Sequence, residues 1–308
     1  IFYATSWMEV IFNPSFPYRL VHMVLAAYLT TGFVVTSVAA LQLLRNNKTP
    51  ANVLMFRMGI VFTAIVTPLQ IAAGHSHGVN VHEHQPVKLA AMEGHWETHQ
   101  GAPMILFGIP NEEKETNDYE IAIPKLGSLV VAHDLNAEIK GLKEWPREER
   151  PPVATVFWSF RIMVGIGMLM LLLAFTGLYL MRTGRLTDNI IYQKACFVMG
   201  PSGFVAVIAG WFTAEVGRQP YTVYGLLRTA DSVSPVTAGA VGMSLTIFIF
   251  VYAIIFTAGV YYLFKLAWKG PLEPDPDDGL EAEPIMASNL TISGYEHSLI
   301  KKPRPAET

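Results

Sequence analysis

Glu215 and Arg218 stand three residues apart at the exit of an apolar run, with Trp211 four residues before the carboxylate. On a helix all three share one face. A charge left alone in hydrocarbon costs at least about 2.5 kcal/mol, so the pair is either a buried structural ion pair or the edge of a functional site. His22 and Met163 lie in two other apolar runs, where each has an ordinary packing role open to it. An imidazole and a thioether at similar depth on separate helices also have the chemistry to clamp a haem from its two faces, the thioether favouring reduced iron. Arg161, two residues before Met163, falls about 200° around a helix from it and points elsewhere. It needs an anionic or polar partner, for which a haem propionate, a buried carboxylate or helix carbonyls would serve.

A second constellation is Lys88-Leu89-Ala90-Ala91-Met92-Glu93-Gly94-His95-Trp96-Glu97-Thr98, which joins a cation, two carboxylates and an indole. A quinol head group needs a proton acceptor and an apolar or aromatic slot, and this stretch, with Lys88 and Glu93, offers both; the alternative is a solvated loop. His75, His77, His82, His84, His95 and His99 cluster in the same region. Histidine-rich tracts bind transition metals, and His95 with His99 would share a helical face, yet no acidic or thiolate framework completes a known geometry.

These residues must be held by membrane helices. The chain has 308 residues, 51% hydrophobic and 15% charged, too apolar for an ordinary soluble domain. Five apolar runs approach or exceed the length of about 20 residues that crosses a bilayer. The expected architecture is an all-α polytopic bundle forming a single membrane domain, with helices over 17–44, 53–73, 153–181, 195–215 and 235–266. The fourth is broken at Gly200-Pro201, and Ser234-Pro235 starts the fifth. Residues 1–16 read as a surface loop, 74–152 as a long extramembrane loop, and 270–308 as a disordered tail rich in Pro and Asp. The net charge of −3, with no basic aromatic-interleaved patch, argues against nucleic acid. The lone Cys196 excludes an internal disulfide and reads as a small core hydrophobe. The chain opens on Ile1 with no initiator Met, so a longer natural N-terminus is expected.

Basic residues set the orientation. Arg45 and Lys48, then Arg182, Arg185 and Lys194, then Lys265 and Lys269 mark three helix ends as cytoplasmic. The long loop and the Glu215–Arg218 motif are therefore expected on the outer face.

Three motifs carry a resemblance: Lys88 to Thr98, Phe157-Trp158-Ser159-Phe160-Arg161-Ile162-Met163-Val164-Gly165, and Gly217-Arg218-Gln219-Pro220-Tyr221 through Gly225-Leu226-Leu227-Arg228-Thr229. In order and content they resemble subunit I of the cytochrome bd-type quinol oxidases, over Asn13 to the end of the fifth helix. The resemblance implies that His22 and Met163 ligate a low-spin haem b, supported by Arg161. It implies that Glu215 ligates a high-spin haem b, with Trp211 between cofactors carrying electrons and Arg218 near propionates. Lys88 and Glu93 match loop residues of quinol oxidation, in what the family calls the Q-loop. At about 79 residues (74–152) the loop resembles the short, cyanide-insensitive branch, whose oxygen-binding group is haem d or a further haem b.

The implied activity is oxidation of ubiquinol or menaquinol at the outer face, electron flow through haems to O2, and a proton motive force from charge separation. Implied partners are oxidase subunit II, a small subunit as a further candidate, and the lipid of a bacterial inner membrane. The family's subunit has nine spanning helices, and the five here match its last five. A fragment that does not reduce oxygen alone is therefore expected. The alternative within redox chemistry is a haem-b membrane anchor relaying electrons between quinone and a dehydrogenase. A transporter with broken helices and a non-catalytic scaffold are the alternatives from other classes.

Overall fold

Proline and small polar residues set the helix boundaries. The computed structural model describes residues 5–271, so the tail expected over 270–308 lies outside the described residues from 272 onward. A short helix α1 (Trp7–Ile11) forms in the stretch expected as loop, capped where the Ser6 hydroxyl accepts from the Glu9 N–H. The long helix α2 (Phe16–Leu44) carries Pro17 in its first turn. Thr49 caps α3 (Pro50–His84), its hydroxyl accepting from the Asn52 N–H.

The expected end of this second helix at residue 73 needs correction, because α3 runs on to His84 through the histidine-bearing stretch. Polar composition does not stop a helix whose inner face is covered, and Asn80 and Val81 are buried there. The stop comes at Gln85, which precedes Pro86 and is pushed out of the helical region by it. At 1.5 Å per residue, the 35 residues span roughly 52 Å. The hydrocarbon core is only about 30 Å thick, so one end of α3 stands clear of the bilayer.

Between α3 and α6 (Val153–Arg182) a cap folds over one end of the bundle. It contains α4 (Pro86–Glu93), β1 (His99–Gln100), β2 (Met104–Asn111), β3 (Thr116–Ile123), α5 (Leu126–Ala132) and β4 (Glu138–Ile139). β2 and β3 make an antiparallel hairpin from Met104↔Ile123 to Asn111↔Thr116, and β1 pairs with β4. Two short 3-10 turns lead into Pro151-Pro152, which open α6.

The fourth span is two pieces, α7 (Ile190–Val198) and α8 (Ser202–Val216), parted at Gly200-Pro201. The break frees backbone groups that lipid cannot satisfy. Ser37 of α2 donates to the Phe197 carbonyl at 2.9 Å, and Ser202 donates to the Met199 carbonyl at 2.5 Å. A hairpin of β5 (Tyr221–Val223) and β6 (Leu227–Arg228) follows. The last helix, α9 (Ala238–Lys269), has its N-cap at Thr237, not at the expected Ser234-Pro235, which lies in the turn before it.

Among the described residues, five units are long and apolar enough to cross a membrane: α2, α3, α6, α7 with α8, and α9. The expected all-α transmembrane bundle is thus the observed fold. Its core has a mid-bundle cluster around Leu29, Phe33, Val66 and Met170. A second cluster, around Ala39, Phe56, Ile60, Tyr192 and Cys196, places the lone cysteine in apolar packing. The third joins the cap to the ends of α3 and α6, from Val81 to Val156.

Candidate functional site

The cap is built around α4, in which every residue from Val87 to Glu93 is buried. Gly94 ends it at φ +74°, a left-handed turn that favours glycine. A Cβ there would sit 3.0 Å from the Phe157 ring, so the position is closed to larger residues on both counts. The chain then leaves the helix, and His95 and His99 do not share a helical face, contrary to expectation: His99 begins β1.

Arg161 is the pin that joins this cap to α6. Its Nε donates to the Ile105 carbonyl at 2.9 Å and its NH1 to the Met92 carbonyl at 3.2 Å. Its NH2 meets the Glu93 carboxylate at 2.9 Å. The guanidinium also lies over the rings of Phe157 and Phe160, at 4.6 and 5.3 Å from their centroids. Of the partners open to Arg161 in the sequence, the buried carboxylate and the carbonyls are the ones it has. Sixty-eight residues separate the two charges, and no spacing rule reaches that far.

Asn117 of β3 is a further structural member of the site that the sequence reading missed. Its Oδ1 accepts from the Trp96 indole at 2.9 Å and its Nδ2 donates to the Gly94 carbonyl at 2.9 Å. A polar residue inside a short strand was the only signal available. His95 donates from Nε2 to the Pro103 carbonyl at 2.8 Å. Burial pushes its pKa down, against the pull of the Glu93 charge, so it is neutral near pH 7.

Lys88 points the other way, toward the end of α8. Its ammonium donates to the Ala214 carbonyl at 3.3 Å. Burial first, then the charges of Arg19 and Arg218, depress its pKa to about 8, with Glu215 opposing them. Beside it Glu215 and Arg218 form an ion pair, and the Nε of Arg218 is buried without a partner. Trp211, on the same helix, is largely exposed. The structure therefore brings Lys88 to the Glu215–Arg218 motif and Glu93 to Arg161. The long loop and that motif occupy one end of the bundle.

A family model for cytochrome bd terminal oxidase subunit I matches residues 1–271. The chain belongs to that family. It is 34% identical over 273 residues to a putative cytochrome bd menaquinol oxidase subunit I of Bacillus subtilis, covering 86% of this chain and 60% of that protein. It is 30% identical over 335 aligned residues to the cytochrome bd-II ubiquinol oxidase subunit 1 of Escherichia coli, covering 87% and 65%. Among solved structures, the bd oxidase from Geobacillus thermodenitrificans matches with a TM-score of 0.77 at 30% identity, covering 86% of this chain and 60% of that one. The chain thus spans about 60% of the length of these bd-oxidase relatives.

Cytochrome bd oxidases imply haem, and the donors here suit one. His22 on α2 faces Gly74 of α3, where a Cβ would come within 3.1 Å of its ring. The Gln70 amide nitrogen lies 3.3 Å from both ring nitrogens, and its buried Oε1 is unpartnered. Met163 on α6 faces Gly210 of α8, where a Cβ would come within 2.9 Å of the sulfur. Gly165 and Gly167, further along α6, have nothing within 4 Å of such a Cβ. An imidazole, a thioether and a carboxylate thus stand on three helices with glycines beside the first two and open space along α6. The orphaned Arg218 Nε suits an anionic group at the same end. Among the described residues there is no group of three or more His, Cys, Asp or Glu fit for a metal ion, so the histidine-rich stretch makes no such cluster. A cavity of about 320 Å³ between the end of α3 and the cap is lined by His82, Glu83, Pro86, Leu89, Glu138, Ile139 and Lys140, and neither Lys88 nor Glu93 lines it.

Proposed function

We propose that the chain is the quinol-oxidising, haem-holding part of subunit I of a bd-type terminal oxidase. In this reading, ubiquinol or menaquinol is oxidised at the outer face of a bacterial inner membrane. Two quinols give four electrons, and O2 takes them with four cytoplasmic protons to form two waters. Protons released outside and consumed inside separate charge without a pump. His22 and Met163 would hold a low-spin haem b and Glu215 a high-spin haem b, with a haem d or further haem b as the third group. Haem iron, when bound, supplies the one-electron steps between quinol and oxygen.

The chain's own residues bind and orient. Glu93 accepts a proton from a quinol hydroxyl, and Lys88 swings from the Ala214 carbonyl to donate to a quinol oxygen. Arg161 fixes the position of that carboxylate, and the packed cap keeps bulk water from it. Arg218 offers its free N–H to an anionic group beside Glu215, and Trp211 presents its indole on the open face of α8 for electron transfer. Oxidase subunit II, and a small subunit as a further candidate, would complete the assembly.

The observation that carries this reading is the Glu93–Arg161 ion pair at 2.9 Å. It ties the residue implied in quinol oxidation to the helix of an implied haem ligand, two residues from Met163. The test is made on the full-length oxidase. Met163→Leu is expected to abolish the low-spin b-haem signal in a redox-difference spectrum. Glu93→Ala is expected to impair quinol oxidation while artificial donors still reduce the haems. An unchanged spectrum, or equal loss with both donors, would remove the assignment. Oxygen consumption by the purified complex separates an oxidase from a haem-b relay.

A further inference from the structure

Of the histidines in the cap region, one pair is held by two different elements. His75 projects from α3, and His133 is the residue that ends α5, with a left-handed φ of 57°. Their Nε2 atoms are 2.9 Å apart, with the rings edge to face and both residues exposed. This contact is the sole side-chain hydrogen bond joining α3 and α5 among the described residues.

We propose that His75 and His133 form an accessible two-histidine site for a divalent first-row transition metal, copper(II) foremost. Two imidazole nitrogens each about 2.0 Å from one metal lie about 2.8 Å apart at a right angle and about 3.3 Å apart at a tetrahedral angle. The observed spacing is that of the N–H···N hydrogen bond itself and lies within about half an ångström of either value, so both nitrogens reach one metal with little movement. Copper(II) heads the affinity order for such ligands.

In the metal-free pair one Nε2–H donates to the other nitrogen. Binding needs the donor to shift to its Nδ1–H tautomer, so that both Nε2 lone pairs meet the metal, with no net loss of a proton. Water fills the remaining positions, because among the described residues no third side-chain ligand is grouped with the pair. The metal would replace a single hydrogen bond with two coordinate bonds and pin the end of α5 to α3, stiffening the cap from outside. This site uses none of the residues assigned to haem and quinol and stands whether or not those assignments hold.

Copper(II) titration of the purified oxidase, without quinol and followed by electron paramagnetic resonance, tests it. One ion per chain is expected, with splitting from two nitrogens. His75→Gln and His133→Asn each remove a direct ligand and are expected to weaken that uptake by at least about 10-fold, the lower bound for losing an outer partner, asparagine being tolerated at the left-handed position. His84→Ala, which alters a neighbouring exposed histidine, is expected to leave it unchanged. Nickel(II) is expected to slow amide exchange across residues 126–139 in the wild type and not in either variant. Copper uptake equal in wild type and both variants, or the absence of a two-nitrogen signature, would overturn the proposal.

Discussion

α4 and α9 are both apolar helices, and only one of them is covered. In α4 every residue from Val87 to Glu93 is buried, two charged ones included. In α9, 32 residues long, none is. Its polar ties to the rest of the chain come at one end, where Gln42 donates to the Ala267 carbonyl at 2.6 Å and Arg45 donates to that of Trp268 at 2.6 Å. The medium permits the difference without imposing it, because α2 and α3 are also long apolar spans and are partly buried. At the water boundary, irregular backbone must find partners and apolar side chains must find cover within the protein. Inside a bilayer a helix satisfies its own backbone, and lipid tails suit its side chains as well as leucine would. The cap has to close on itself. A spanning helix does not.

The sharpest way to break this comparison is to unpin the cap. Arg161→Met leaves the Glu93 carboxylate and two backbone carbonyls without their donor in a site where both charged side chains are largely buried. Stranding one member of a buried pair costs about 3–5 kcal/mol. The expected result is a lowered unfolding midpoint in detergent, with amide protection lost first over residues 86–111. Adding Glu93→Gln removes the stranded charge and is expected to restore part of the loss. Unchanged protection in Arg161→Met would mean that the cap does not depend on its own ion pair.

The spans were legible because membrane helices announce themselves by length and apolarity, and the prolines at positions 50, 86, 152 and 201 mark their edges. The end of α3 was not legible. Gly74 to His84 reads as polar loop, yet it continues the helix, with Asn80 and Val81 buried. Quinol and haem candidates could be picked out residue by residue, through motif resemblance. That Glu93 and Arg161 from the two sets bond to each other was invisible, since their pairing depends on tertiary folding over a long separation. Asn117 shows the same limit: nothing local says that one strand amide will hold both Trp96 and the carbonyl of Gly94.

A milder test uses proton linkage in the cap. Burial depresses the pKa of His95, assisted by His99 and Arg161, while Glu93 and the bond to the Pro103 carbonyl oppose the shift. In the unfolded chain the imidazole titrates near its ordinary value of about 6.5. Below that pH the unfolded state therefore binds more protons than the folded state, and stability falls as pH falls. Above it the group is neutral in both states and contributes no slope. His95→Gln, able to donate to the same carbonyl without titrating, is expected to flatten the decline between pH 6.5 and the lowered folded value. Denaturation midpoints measured across that window check this, and an equal slope in the variant would assign the pH dependence to other groups.

The smallest expected effect belongs to α9. Phe250 and Ile254 are both exposed along it. Replacing either by Ala removes side-chain atoms that touch solvent or lipid rather than a protein core, so stability is expected to stay within about 0.5 kcal/mol of the wild type. Phe157→Ala is the matched control. That ring is fully buried against Gly94 and beneath Arg161, and its loss is expected to cost about 3–5 kcal/mol. Both measurements use the same detergent-solubilised chain, which holds the medium constant. A large loss from Phe250→Ala would mean that α9 is packed against protein, and the contrast with α4 would then reflect a missing neighbour rather than the medium.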